Sequence, residues 1–127
     1  MKLMTYQFGE IEFEESSIIF FSGGILGFEN LKRYVLVQTG EGLFQWLNSI
    51  EDPDIAFPVV SIRIVDEFFP QEKDHEAFAV VTFNPDPLKV TVNLKAPVYI
   101  NQNRKTGYQT ILDDDKFIIN YNLFVEE

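Results

Sequence analysis

Several groups of residues carry side chains capable of chemistry, and none is spaced for it. The single histidine, His75, stands between Asp74 and Glu76 in a charged stretch. A serine or histidine mechanism needs a base held within about 3 Å of its nucleophile and oriented by a third group. Nothing marks such a partner, so His75 reads as a solvated loop imidazole. Gly23-Gly24-Ile25-Leu26-Gly27 has the glycines of a phosphate cradle but lacks a following lysine and a helix of real length, and reads as a turn. Glu51-Asp52-Pro53-Asp54 and Asp113-Asp114-Asp115 offer oxygens to a divalent ion without the spacing and bidentate glutamate of a calcium loop. Turns and a helix cap account for both. Paired carboxylates for hydrolysis meet only in the fold, and nothing here selects a pair. The chain has no cysteine, which removes a thiolate nucleophile, a thiolate zinc site and a disulfide framework together. No catalytic, cofactor-binding or metal-binding residue is expected.

The elements that position these groups read as strands almost throughout, because no window of about 11 residues carries a clean helical period. Leu88, Val90, Val92 and Leu94 alternate with Lys89, Thr91, Asn93 and Lys95, which predicts a half-buried strand over 88–94, ended by Pro97. Residues 98–100 and 108–112 are expected as two more strands of a meander, joined across the polar loop 101–107. Ile11 and Phe13 alternate with Glu10, Glu12 and Glu14, so one face is apolar and the other carries three carboxylates about 7 Å apart. Further strands are expected at 18–21, 34–38, 43–47, 57–65, 77–83 and 117–125, with a hairpin turn at Thr39-Gly40-Glu41-Gly42. Brief helical turns are expected at 28–33 and after Asp52-Pro53, with Asp52 as cap and Pro53 in the first helical position. Between the strands at 57–65 and 77–83, 66–76 reads as a charged loop whose Phe68-Phe69 pair folds back onto the core. Eight to ten short strands, roughly, with no linker or repeat, predict an all-β single domain over 1–127: an antiparallel barrel or barrel-like sandwich, whose closure would deal with exposed strand edges.

A chain of 127 residues, 46% apolar and with 13 Phe, supplies enough area to fold around one core without staples. Twenty acidic residues against ten basic give a net charge of −10. Nucleic acid is excluded as a direct partner, since backbone neutralisation needs clustered cations and the adjacent basic pairs, Lys32-Arg33 and Arg104-Lys105, read as solvated loops. The same balance counts against an oligonucleotide-binding barrel. A basic protein is the natural partner. The N-terminus lacks an apolar segment of signal-peptide length and no apolar run is long enough to span a membrane, so no membrane association and a cytoplasmic location are expected.

Taken in order, Phe8-Gly9-Glu10-Ile11, Gly24-Ile25-Leu26-Gly27-Phe28-Glu29, Leu47-Asn48-Ser49-Ile50-Glu51-Asp52-Pro53-Asp54-Ile55-Ala56-Phe57 and the 93–112 segment make the chain resemble the flagellar assembly factor FliW family over nearly its whole length. Leu26 stands where that resemblance leads one to expect proline and Asn48 where it leads one to expect glutamine, and the 66–76 region is shorter than in many members. The resemblance implies a non-enzymatic regulator that binds flagellin and, alternatively, the RNA-binding translational repressor CsrA. The expected contacts are the polar residues of the motif segments, Asn93, Lys95, Asn101, Arg104 and Gln109, with Asp52 and Phe57 at the other motif and Glu10, Glu12 and Glu14 as an acidic face. Against each stands a structural role: Asn and Asp satisfying turn amides, Phe57 in the core, the glutamates solvating an edge. A reading from another class is a small barrel that binds or hydrolyses a small ligand with interior carboxylates.

Overall fold

The computed structural model describes residues 1–38 and 42–125; residues 39–41 of the expected hairpin turn lie outside them. Its strands are β1 (Lys2–Thr5), β2 (Gly9–Glu12), β3 (Ile19–Phe21), β4 (Arg33–Val37), β5 (Gln45–Ser49), β6 (Ala56–Ser61), β7 (Glu76–Thr82), β8 (Thr91–Val92), β9 (Val98–Asn101), β10 (Thr106–Gln109) and β11 (Tyr121–Asn122). Pairing runs β7-β6-β5-β4-β3-β10-β9 and returns to β7, so seven strands close into a ring. An odd-numbered ring cannot alternate in direction all the way round. Six of its pairings are antiparallel, and the seventh, β3 with β10, is parallel, with Phe20 opposite Thr106 and Phe21 opposite Gly107. The expected closed, antiparallel all-β barrel is found, with this one parallel seam that parity requires.

Side-chain alternation sorts the apolar residues into two clusters. Inward-facing Ile19, Phe21, Tyr34, Leu47, Val59, Phe78, Val98 and Ile100 fill the ring, in strands short enough that each contributes only a few. Outward-facing Val60, Ala79, Val81 and Tyr99 are also buried, because Val92, Leu94, Phe117 and Phe69 are laid over them from outside. A second cover is the β1–β2 hairpin. Phe8 packs edge-on against the outward Trp46 at 5.6 Å, and the neighbouring outward residues Val35 and Asn48 are buried.

Several local expectations are corrected. Residues 28–33 form no helical turn: Gly24 and Gly27 take positive φ, Ile25 bridges Phe28, and Arg33 already belongs to β4. After Asp52-Pro53 the chain makes a tight turn, Ile55 N–H to Asp52 O at 3.0 Å, with proline at the second position of the turn rather than the first of a helix. The Asp-Pro pair that does start a helical turn is Asp86-Pro87, where Asp86 Oδ1 accepts from Leu88 N–H at 3.0 Å. The strand expected over 88–94 shrinks to Thr91–Val92 because its first residues belong to that 3-10 turn and Asn93 turns the chain. Likewise 57–65 ends as a strand at Ser61 and continues as a 3-10 turn, and 117–125 pairs only at Tyr121–Asn122. Of the aromatic pair, Phe69 folds back and Phe68 is exposed, in a turn that Phe69 N–H closes on Asp66 O at 3.2 Å.

At the parallel seam a β-carbon on Gly107 would lie 2.5 Å from Phe21 Cζ, so the ring of Phe21 occupies the space that any other residue needs. Urea unfolding of Gly107→Ala should show a loss of about 1–3 kcal/mol, the usual cost of overpacking. That loss should shrink when Phe21 is cut back to leucine in the same chain. Equal losses with and without Phe21 would place the strain elsewhere.

Candidate protein-interaction surface

Strand directions divide the barrel into two ends. The β3–β4 connection, the β5–β6 turn, the start of β9 and the end of β10 meet at one. Asp52, Phe57, Asn93, Lys95 and Gln109 therefore gather there. Asn101 and Arg104 sit at the opposite end, on the β9–β10 hairpin.

The first end is knitted by the motif segments. Gln109 uses both ends of its amide: Nε2 donates to Ala96 O at 2.9 Å and Oε1 accepts from Leu26 N–H at 2.9 Å. The Gly24-to-Glu29 turn is thus tied to the 93–112 segment. Its other side is tied to the 47–57 segment by Phe28, edge-on to Phe57 at 5.1 Å. Phe57 is half-buried and also borders Tyr34. Asn93 Oδ1 accepts from Lys95 and Ala96 N–H at 3.0 and 3.1 Å, turning the chain into β9. Asn48 is fully buried, its Nδ2 donating to Ser49 O and Pro53 O at 2.9 and 3.2 Å. Asp52 is exposed at the tip of that turn.

Glu51 fastens the same turn to β4, accepting from Lys32 N–H at 3.1 Å and Arg33 N–H at 3.0 Å and pairing with Arg33 Nε at 3.6 Å. Burial alone would push its carboxyl up. The amides of Arg33, Lys32 and Glu51 itself, with the Arg33 guanidinium, outweigh burial and hold the carboxyl below its ordinary 4.5. Beneath, burial and then the charge of Glu51 push the Tyr34 hydroxyl up to about 12.

Leu26, Phe28, Leu88 and Ile111, all in the connections at this end, are exposed. Sequence reasoning missed them, because an apolar residue in a loop carries no periodic signal that separates cover from core. At the other end Asn101 Oδ1 accepts from Asn103 and Arg104 N–H, each at 3.0 Å, and shapes a loop completed by Lys105 at φ 55°. Arg104 is exposed there. Glu10, Glu12 and Glu14 are exposed along β2 and just beyond it, with Lys2 3.6 Å from Glu10 and 3.7 Å from Glu12. His75 packs on Tyr108, which stacks on Tyr99. Among the described residues no group of three or more His, Asp or Glu side chains converges as a metal site, and no helix is long and apolar enough to cross a membrane.

What the fold defines is a small closed barrel with an apolar interior, its polar and exposed apolar groups displayed at the ends and on the flanks. The family model described as FliW protein matches residues 2–70 and 66–123, and the chain belongs to that family. It is 42% identical to the flagellar assembly factor FliW of Caldicellulosiruptor saccharolyticus, covering 92% of this chain and 86% of that protein. It is 37% identical to the flagellar assembly factor FliW of Clostridium botulinum, covering 100% and 99%. A crystal structure of the flagellar assembly factor FliW superimposes with a TM-score of 0.89 at 28% identity, over 100% of this chain and 99% of that one.

Because Glu51 titrates below its ordinary value when folded, its contribution to stability is present above pH 4.5 and is lost as pH falls through its folded-state value. Glu51→Gln should therefore be less stable than the parent near neutral pH, with the gap closing in acid. A gap that does not change with pH, followed by urea unfolding, would assign the loss to packing instead.

Proposed function

We propose that this chain is a non-enzymatic regulator of flagellum assembly in the cytoplasm, acting by protein-protein contact. It binds flagellin and, alternatively, the RNA-binding repressor CsrA, so that the level of free flagellin governs flagellin translation. The observation that carries the reading is the family match along almost the entire chain. The filled apolar interior supports it over a barrel that binds or hydrolyses a small ligand, which would need convergent carboxylates inside. Exposed apolar residues beside Asp52 and Lys95 at one end have the makings of a contact surface, an apolar centre with a polar rim.

The net charge of −10 and the exposed Glu10, Glu12 and Glu14 suit a basic, RNA-binding partner. Held beside its RNA site, these carboxylates oppose RNA electrostatically, within a Debye length of about 8 Å at physiological salt. This acts in addition to any change that contact induces in the partner.

Calorimetric titration with flagellin and then with CsrA tests the reading, with binding to both expected. Of Lys95→Glu at one end and Arg104→Glu at the other, at least one should weaken binding by about tenfold, about 1.4 kcal/mol, while leaving thermal unfolding nearly unchanged. Replacing Glu10, Glu12 and Glu14 with glutamine should lessen inhibition of RNA binding at saturating protein, as should added salt. Failure to bind either protein refutes the assignment; undiminished inhibition refutes the electrostatic part alone.

A further inference from the structure

Phe68 is an aromatic side chain that the fold leaves bare while fixing the chain around it. It is 86% exposed, so no core contact accounts for its position. Its N–H donates to Asp66 Oδ1 at 3.0 Å, and the N–H of Phe69 donates to Asp66 O at 3.2 Å. Phe69 is buried, edge-on to Phe117 at 5.0 Å, and Pro70 O accepts from the Tyr99 hydroxyl at 3.0 Å. An exposed aromatic on a backbone tied down in this way suits a protein contact, because it buries a large area there and loses little freedom in doing so.

Beside this turn a cavity of ≈ 350 Å³ lies between the 66–76 loop, the 3-10 turn Ile62–Ile64 and the β9–β10 hairpin, at the end of the barrel that carries Arg104. Apolar groups of Ile62, Phe69 and Ile100 form its floor. The charged residues of its lining are Asp66, Asp74 and Glu76 against Arg63, with His75 among them, so the rim is acidic even with the guanidinium counted. The loop as a whole holds five carboxylates, on Asp66, Glu67, Glu72, Asp74 and Glu76, against Lys73. Glu10, Glu12, Glu51 and Asp114 each have a lysine or arginine nitrogen within 3.8 Å. Among the described residues none of the five loop carboxylates is paired with a cation.

We propose that this surface, a projecting aromatic beside an apolar hollow with an acidic rim, is the docking site for the basic RNA-binding partner. Phe68 is the anchor that enters an apolar pocket of that partner, and the loop carboxylates face its lysine and arginine side chains. A long basic side chain suits the cavity, its aliphatic stem on the apolar floor and its charge at the rim. Charge selects this occupant: a basic surface neutralises carboxylates that have no cation of their own, whereas a second copy of this chain would bring a further net charge of −10 against them. The inference rests on the reading of CsrA as the basic partner and adds where on this chain it docks.

The test is calorimetric titration of the full chain and its variants with CsrA. Phe68→Ala should weaken binding at least tenfold with thermal unfolding unchanged. Tyr6→Ala removes a side chain that is 89% exposed in the β1–β2 connection and should leave binding as it was. The triple variant Glu67→Gln, Asp74→Asn, Glu76→Gln should weaken binding several-fold and reduce its salt dependence. No binding by the parent chain would refute the CsrA reading and the docking site with it. Binding by the parent that survives Phe68→Ala would overturn the docking site alone, as would an equal loss from Tyr6→Ala or an affinity untouched by the triple variant.

Discussion

Closure of the ring depends on two neighbouring residue pairs, Phe20 with Thr106 and Phe21 with Gly107, where β3 and β10 run parallel. Everything else in the ring is built from antiparallel neighbours, which short turns can join; a parallel pair needs a long connection. Here that connection runs from residue 22 to residue 105 of a 127-residue chain and carries β4 to β9. The seam is short, and it holds because Gly107 has no side chain and Phe21 fills the resulting space, edge-on to Tyr34 at 5.3 Å. The centre of the barrel is thus anchored at the place where the chain's two halves are furthest apart in sequence.

Once the ring is closed, the remaining segments have only its outer faces to cover. The β1–β2 hairpin lies over β4 and β5, while β8, β11 and the residues around Phe117 lie over β6, β7 and β9. This layering explains why many outward-facing strand residues are as buried as inward ones. It also leaves margins. Where the hairpin ends and β3 has not yet begun, a cleft opens beside unpaired main chain, and at one end of the barrel the connections expose Leu26, Phe28 and Ile111. Exposed apolar groups arise in this fold where coverage of the ring is incomplete.

The polar residues of the motif segments serve the connections first. Gln109, Asn93, Asn101 and Asn48 spend amide groups on main-chain partners, while Lys95 lies beside the Asn93 turn and Asp52 and Arg104 stand outside their loops. Rigid turns of this kind hold exposed neighbours in fixed positions with little loss of side-chain freedom on binding. Residues that build the turns and residues exposed beside them are therefore neighbours in the same motifs, and a substitution in one is easily mistaken for a substitution in the other.

The alternation of Glu10, Ile11, Glu12, Phe13 and Glu14 determined an edge strand with an acidic face, because a strand's side chains alternate whatever it packs against. The same local rule made the all-β class legible, together with the turn at Asn101 and the family resemblance carried by the 47–57 and 93–112 segments. Local pattern did not reveal how Leu88 to Leu94 would be divided, since a 3-10 turn capped by Asp86 and a bend made by Asn93 compete there with strand pairing. Nor did it place Phe68 outside and Phe69 inside. The parallel seam, the gathering of Asp52, Phe57, Asn93, Lys95 and Gln109 at one end, and the separation of Asn101 and Arg104 at the other were decided only by closure. Which strand lies beside which is a property of contacts between residues far apart in the chain, and no local period records it.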